Sequence, residues 1–563
     1  MRAQFYSMSQ FNEDRQNLKL YQIKAEEEEA LTKIISEKYG IPYLDVFHMP
    51  INSDFIRILN EEDARNGELA VIQKIGRKLQ IIVKNPEKAE TKQVLEKISR
   101  MNYTYQLFIA SHRGLEQVLK LYKTLKTLVG VSAGQITIAE EALERYKARI
   151  HNVSDIRNLL VETLQKSISE ILEIIIAGAL KIDASDIHIE PEEANVRIRY
   201  RLNGVLQDII SIEHKAFKFL IGRIKLISGL KLNVVERTQD GRFTIKLPTS
   251  EIEVRVSVLP GSYGENFVLR VLDPEKINLS LVDLGIRPET SEEIARQLER
   301  PSGMILAIGP TGSGKTTTLY TFLKILHTAE IKIITIEDPI EYHLPGIEQT
   351  QVNPSKDYTF ALGLNSILRQ DPDVILVGEI RDFETAETAI HAALTGHLVF
   401  STLHTNDTAG TILRLVDMGI KPQIIVPAIN MAISQRLMRK LCIHCKKPDA
   451  FNDHEIEMIK KELDSFPKKP RIEKPNIELK SVLIYRPGVC EQCDGTGYNG
   501  RVGVFEIVLF DETFEKLVLN NTTSESDMRK AIFAQGQITM KQDAVLRILE
   551  GITDISELKR VFG

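Results

Sequence analysis

Nine consecutive residues, Gly309-Pro310-Thr311-Gly312-Ser313-Gly314-Lys315-Thr316-Thr317, place glycines, a lysine and hydroxyls in the order that cradles phosphate. Glycines let the main chain wrap closely around an anion, with amide N–H groups turned inward. The N-terminus of a following helix adds positive potential. In such a loop Lys315 reaches the β- and γ-phosphates and the Thr316 hydroxyl ligates Mg²⁺. Both flanks have the required character: Met304 to Ile308 reads as a buried strand, and Thr318 to Leu326 as a helix with an apolar face. A glycine-rich turn that binds nothing has no need of this lysine, this hydroxyl and both flanks together.

Three more apolar runs end in ionisable groups. Ile333 to Glu341 reads as a buried strand ending in three carboxylates, and a carboxylate at such an end can position or deprotonate an attacking water. Taken alone it reads equally well as a solvated acidic turn. Asp371 to Asp382 runs into Glu379, where an acidic group would hold magnesium through water and share in hydrolysis. Thr395 to Asn406 is preceded by His397 and ends in His404, which stands where a γ-phosphate sensor would stand; His397 reads as either structural or functional.

Arg197, Arg199 and Arg201 alternate on one strand face, and Arg242 follows Gln239-Asp240-Gly241. They are either a solvated face or guanidinium groups delivered to a phosphate bound elsewhere. In the second case their bidentate geometry suits a transferring phosphoryl group, with roughly a thousandfold effect on rate. The only cysteines, Cys442, Cys445, Cys490 and Cys493, form two C-x-x-C pairs. In a cytosolic chain, as is expected here, such pairs favour one closed Cys₄ zinc site of structural type over disulfides. A loop must sit between the two knuckles, and His444 lies between ligands without being one.

The chain that positions these groups has 563 residues, 43% hydrophobic and 26% charged, with a formal net charge of −5. That length suits three or four globular domains, and the charge argues against a whole-protein role in coating nucleic acid while leaving a local basic groove open. No apolar run reaches the length of a membrane span, and the N-terminus lacks an apolar signal core, so a cytosolic location is expected, with any membrane role supplied by a partner. Residues 1–30 read as a polar, acidic tail. From Leu31 to Tyr122 a small α/β pattern appears, with a helix over Leu31 to Tyr39, a strand at Pro42 to Val46 and a hairpin joining Leu69 to Ile72 with Leu79 to Val83. Residues 123–152 read as a linker helix. Residues 153–283 read as a second domain, opening with one long amphipathic helix through Leu180 and continuing in antiparallel strands, with Asn203-Gly204 as a turn. Residues 284–563 hold the phosphate loop, and the cysteines lie in an insert at 440–500 whose middle, Phe466 to Arg471, reads as a loop.

Together these motifs resemble the secretion ATPase superfamily, specifically the type II secretion and type IV pilus assembly ATPases. The resemblance rests on the phosphate loop, an "aspartate box" at Thr335 to Glu341, a Walker B-like segment at Gly378 to Asp382 and a "histidine box" at Gly396 to Thr405. Ala184-Ser185-Asp186-Ile187-His188-Ile189-Glu190-Pro191 and Gln239-Asp240-Gly241-Arg242 add to it, and Leu164 to Gly563 is the part covered closely. The resemblance implies an α/β multidomain fold: a RecA-like P-loop ATPase domain, a PAS-like α+β domain before it, and a small N-terminal α/β domain. It implies ATP, Mg²⁺ and Zn²⁺ as ligands, with Glu341 as general base, Glu379 as the magnesium-water carboxylate, His404 facing phosphate, and Arg201 and Arg242 completing the site on domain closure. It also implies a homo-hexameric motor, peripheral to the cytoplasmic membrane, working on an inner-membrane platform protein.

Tyr39-Gly40-Ile41-Pro42 resembles the small N-terminal domain of these enzymes. The repeated R-L-G-containing motif through which some relatives bind cyclic di-GMP is missing from this sequence, so partner docking is the expectation there. Two other classes stay open at this point: a nucleotide-gated scaffold without turnover, and a DNA-uptake or transfer ATPase. The acidic balance and the want of a basic, aromatic-interleaved stripe weigh against the second.

Overall fold

The computed structural model describes residues 27–46, 53–56, 58–75, 78–101, 103–126, 135–136, 140–164, 168–247, 251–274, 278–519 and 524–563. Contacts divide the chain into two compact units, residues 1–131 and 132–563.

The first unit is built on a three-stranded sheet, β1 (Leu69–Ile75), β2 (Lys78–Val83) and β3 (Thr104–Ile109), in the order β1-β2-β3. The expected hairpin is present, antiparallel, and β3 adds in parallel to β2. Alternation sends Leu79, Ile81 and Val83 to one face, under Val94, Leu95 and Ile98 of the helix Ala89–Arg100. Ala70, Ile72 and Ile82 meet Leu115, Val118 and Leu119 of the helix His112–Lys126 on the other. Residues 27–39 form one helix, so the acidic end of the expected tail is partly helical here. Its Glu29 accepts from Tyr43 Oη and Ser111 Oγ, each at 2.6 Å. Pro42 to Val46 makes a single bridge, Tyr43 to Ile109, where a strand was expected. Residues 1–26 lie outside the described residues.

The expected linker helix at 123–152 is not one helix. The helix His112–Lys126 ends inside it, β4 (Gln135–Ile136) pairs with a strand of the next sheet, and a second helix covers Glu140–Arg149. Charge pattern alone could not separate these pieces. The long helix expected through Leu180 is likewise two helices, Val153–Leu164 and Ile168–Lys181. They pack on one another: a Cβ on Gly178 would meet Ile156 Cδ1 at 2.9 Å.

These helices and His214–Ile227 cover one face of a seven-stranded sheet of order β4-β8-β9-β10-β5-β6-β7. Its strands are β5 (Asp186–Pro191), β6 (Val196–Leu202), β7 (Val205–Ile212), β8 (Gln239–Lys246), β9 (Glu251–Gly261) and β10 (Gly264–Leu272). The turn at Asn203-Gly204 has positive φ at both residues, 50° and 86°. Ile187, Tyr200, Phe243, Val254 and Leu269 point into the core, so alternation puts the charged residues between them on the opposite face.

The remaining sheet has the order β13-β12-β14-β15-β11-β16-β19. It comprises β11 (Gly303–Ile308), β12 (Ile333–Glu337), β13 (Glu348–Gln351), β14 (Val374–Val377), β15 (Leu398–Leu403), β16 (Ile429–Leu441) and β19 (Tyr498–Leu509). All pairings are parallel except β16 with β19. Near-continuous apolar runs such as Gly303–Ile308 and Leu398–Leu403 are buried throughout, as parallel strands covered on both faces must be. The excursion between β16 and β19 carries all four cysteines, a two-stranded antiparallel sheet of β17 (Lys447–Asp449) with β18 (Ile484–Arg486), and between those strands a helix Asp453–Asp464 that sequence reading did not anticipate. Phe466 to Arg471 is irregular, as expected. Phe451, Ile459, Leu463 and Ile484 of this excursion share a core with Val545, Ile548 and Leu558 near the C-terminus.

Candidate active site

Parallel strands deliver their following loops to one edge of the sheet, and the candidate residues collect there. The phosphate loop leaves β11 with φ of 146° at Gly309 and 92° at Gly314, a backbone open to glycine and strained for other residues. Space is equally limiting, because a Cβ on Gly309 would sit 2.8 Å from Gln435 O. Gln435 Nε2 donates to Ser313 O at 2.7 Å and fixes the loop from beneath. Lys315, at the start of the helix Lys315–Leu326, donates to Gly309 O at 2.7 Å and Pro310 O at 3.0 Å. Burial pulls its ammonium down to about 8; Glu379 opposes that shift and Arg436 adds to it. The Ser313 hydroxyl is buried without a partner, and Thr311 and Gly312 are exposed at the rim. Thr316 and Thr317 are half-buried at the first helical turn. A lysine turned back on its own loop's carbonyls and an orphaned buried hydroxyl in the same loop are groups that would fit a phosphate chain.

Glu379 follows β14, which is stitched to β15 by Ser401 Oγ to Val377 O and Thr402 Oγ to Gly378 O, both 2.8 Å. Its carboxylate is buried and paired with Arg381 Nη2 at 2.6 Å and His404 Nε2 at 3.2 Å. His404, at the end of β15, therefore meets Glu379, which acts electrostatically on Lys315. His397 stands apart: in the turn after the helix Phe383–Leu394, its Nδ1 lies 3.1 Å from Ala392 O in that helix, a structural position.

The strand β12 ends at Glu337, so Glu341 lies on the loop beyond it. Glu337 is buried and accepts from Tyr320 Oη, from Thr335 Oγ1 at 2.6 Å and from Gln349 Nε2 at 3.1 Å. Burial raises its carboxyl above the usual range. Those contacts make it a brace for the loop rather than a free base. Glu341 is held by Arg255 of the preceding sheet, with Nη1 to Oε2 at 2.7 Å and Nη2 also bonded to Ile340 O.

Arg255 was missed in the sequence reading, and strand register explains it. Directly opposed residues run Arg242–Arg255 across β8 and β9, Arg255–Arg270 across β9 and β10, Arg270–Asp186 across β10 and β5, and Asp186–Arg201 across β5 and β6. Opposed residues share a face, so four arginines and one aspartate form a row across the sheet. Arg270 Nε lies 3.0 Å and Arg201 Nε 3.4 Å from the Asp186 carboxylate. Arg242 is 70% exposed, near Glu253 at 3.6 Å. Arg201 and Arg242, the two arginines that the resemblance assigns to the site, are thus members of the row, and Arg255 joins the row to the loop after β12. Arg197 and Arg199 are taken up by Asp208 and Glu190. The loop before Arg242 is anchored by buried Lys225, whose Nζ lies 2.7 Å from Glu265 Oε1 and donates to Val234 O at 2.9 Å. Gln239 Nε2 donates to the same carbonyl at 2.8 Å.

The cysteine sulfurs all lie within 4.8 Å of one another. The Cys442–Cys490 and Cys445–Cys493 separations are 3.7 Å, and Cys490–Cys493 is 3.6 Å. A tetrahedron of sulfurs about 2.3 Å from zinc has edges of about 3.8 Å, whereas a disulfide needs about 2.05 Å. Gly497 N donates to Cys493 Sγ at 3.2 Å, and Cys442 N donates to Gly497 O at 2.9 Å. Donor type, spacing and these supporting bonds fit a four-thiolate metal site.

Comparison with known proteins places the chain in a family. A family model described as "Type II/IV secretion system protein" matches residues 162–560. The chain is 39% identical over 467 residues to the Type II secretion system protein E of Dickeya dadantii, covering 83% of this chain and 87% of that one. It is 32% identical over 555 residues to the Type IV pilus assembly ATPase PilB of Myxococcus xanthus, covering 98% and 94%. Among solved structures, the ATPase DotB of Yersinia pseudotuberculosis superposes with a TM-score of 0.50 at 21% identity, over 70% of this chain and 93% of that one, a likeness of fold.

Proposed function

The chain belongs to the type II/IV secretion system protein family, and from that membership and the crevice just described we propose an ATP-hydrolysing motor of type IV pilus assembly or type II protein secretion. The observation that carries this reading is the gathering of Lys315, Glu379 and His404 on one sheet edge, with Glu341 held beside them by Arg255. ATP phosphates take the loop amides and draw Lys315 Nζ from the carbonyls of Gly309 and Pro310. Thr316 and Glu379 are the residues that would hold Mg²⁺, which when bound neutralises charge on the phosphates. Glu341 accepts the proton of the attacking water as the bond to the γ-phosphorus forms and the bridging bond to ADP breaks. To do so it must be released by Arg255, and a phosphate is the natural competitor for that guanidinium. Arg201, Arg242 and Arg270 extend the same row, so closing the sheet on the nucleotide brings further positive charge to the transferring group.

In this reading residues 31–122 are the N-terminal domain, 153–283 a PAS-like domain and 284–563 a RecA-like domain whose insert at 440–500 binds structural zinc through Cys442, Cys445, Cys490 and Cys493. Subunits act as a homo-hexamer on an inner-membrane platform protein at the cytoplasmic face. Among the described residues no helix is long and apolar enough to cross a membrane, which accords with attachment through that partner. Steady-state phosphate release from purified oligomer with Mg²⁺ and ATP tests the proposal. Multiple turnover should fall about a hundredfold or more in Lys315→Ala and in Glu379→Gln. ATP binding without turnover would point to a gated scaffold, and turnover strongly stimulated by DNA to a nucleic-acid motor.

A further inference from the structure

The ATP reading leaves one charged side chain beside the phosphate loop unused. Arg436 stands on β16 two residues past Ser434, which pairs with Ile308 at the end of β11. It therefore lies alongside the first residues of the loop, and a Cβ on Gly309 would come 3.1 Å from its Nη1. Its hydrogen-bond partners are main-chain carbonyls: Nη1 donates to Gln435 O at 3.3 Å and Nη2 to Asn406 O at 3.2 Å. Other arginines around the site hold a carboxylate, Arg255 on Glu341, Arg381 on Glu379 and Arg529 on Asp407. Among the described residues Arg436 has no such ion pair.

Its setting is half-buried, and burial weakens its hold on its proton while Asp407 and Glu506 act the other way from a distance. Arg436 also depresses Lys315 across the loop. Two cations thus face one strand–loop junction in a partly desolvated place, an arrangement that a polyanion relieves. Asn406 is two residues beyond His404. The loop that joins them is held on its other side by Arg529 on Asp407 and by Thr408, whose N donates to Glu506 Oε1 at 3.2 Å and whose hydroxyl bonds the same oxygen.

We propose that Arg436 is a positioning residue for hydrolysis, tying the phosphate loop to the loop that carries His404 so that phosphate in the one sets the other. The inference rests on the ATP reading above. Long bonds to carbonyls suit the role, because they reshape at little cost when a phosphate attracts the guanidinium. Nothing in the local sequence marks Arg436, since its place depends on the pairing of β16 with β11.

The test uses the full chain and four variants: R436Q, R436K, H404A and R436Q with H404A. Phosphate release across ATP concentrations is combined with equilibrium binding of a fluorescent ATP analogue and a thermal melt. R436Q should lower kcat by about tenfold or more while ATP affinity stays within about threefold. R436K should recover part of the loss. With His404 already replaced, R436Q should cost less than about threefold, because both act through one loop. An unchanged kcat in R436Q, a loss of affinity as large as the loss of kcat, or full additivity with H404A would overturn the inference. If R436Q does not fold, R436K decides: a kcat at least about threefold lower at unchanged affinity supports the tie, and wild-type kcat removes it. A wild-type chain that neither binds nor hydrolyses ATP sinks the functional reading and this inference together, whereas an active wild type with indifferent variants sinks this inference alone.

Discussion

Burial holds Lys315 at about 8, and on the function proposed above a bound triphosphate would restore its charged form. The sign of the resulting pH dependence follows. Below about pH 7 the lysine is protonated before and after binding, so affinity is flat. Above about pH 8 binding must draw in a proton, and ATP affinity should fall by up to about tenfold per pH unit. Calorimetric titrations in two buffers of different ionisation heat should show proton uptake growing from about pH 7.5 to 9; equal heats after buffer correction would contradict the assignment. Stability of the unliganded chain moves oppositely: the folded value lies below the ordinary 10.5, so the penalty of burying the ammonium is relieved as pH rises from about 8 towards that value. Arg255→Gln should lower kcat about a hundredfold or more with ATP binding retained, read by phosphate release beside equilibrium binding. Lys315, Glu379 and His404 were legible because each ends or follows an apolar run. Arg255 and Arg270 were not, because their alignment depends on which residue of β8, β9 and β10 faces which. That register is a property of the folded sheet rather than of local spacing.

At the scale of elements, the anchor under the arginine sheet is the pair Lys225 and Glu265, 2% and 5% exposed. Removing one partner strands the other charge in a low-dielectric interior. Lys225→Met should therefore cost about 3–5 kcal/mol, and the double variant Lys225→Met with Glu265→Met should recover most of it. Denaturant unfolding of the single and double variants measures both. Because Lys225 and Gln239 share Val234 O, the single variant should also loosen the approach to Arg242. The strands of this sheet were readable from alternation, and the turn at Asn203-Gly204 from its residue types. Its helices were read less well. An unbroken apolar periodicity through Leu180 concealed two helices that pack against each other, and a run of mixed charge concealed β4. Periodicity reports which side of a segment is apolar and is silent on where the chain reverses.

At the scale of the whole molecule, the cysteine excursion and the last helices are one packing unit, joined through Ile459, Leu463, Ile484, Val545, Ile548 and Leu558. Metal loss should be felt well beyond the knuckles. Purified protein should carry about one zinc per chain, and Cys442→Ser or a strong chelator should lower the melting temperature by about 5 °C or more. Protease cleavage between Phe466 and Leu483 should quicken at the same time. Metal analysis by mass spectrometry with a melt on the same sample checks both, and a metal-free chain of unchanged stability would refute the assignment. The thiol spacing was plain in the sequence; the partnership with the C-terminus was not, since it joins apolar residues that only the completed fold brings together. Leu441 on β16 lies opposite Tyr498 on β19, so those two strands leave and re-enter the lobe side by side. A descendant could shed the whole lobe by closing a tight turn at that point, with no strand rethreaded. Its terminal helices would then turn an oily flank to water. Transplanting the lobe into a shorter cousin would therefore succeed only if those helices travelled with it.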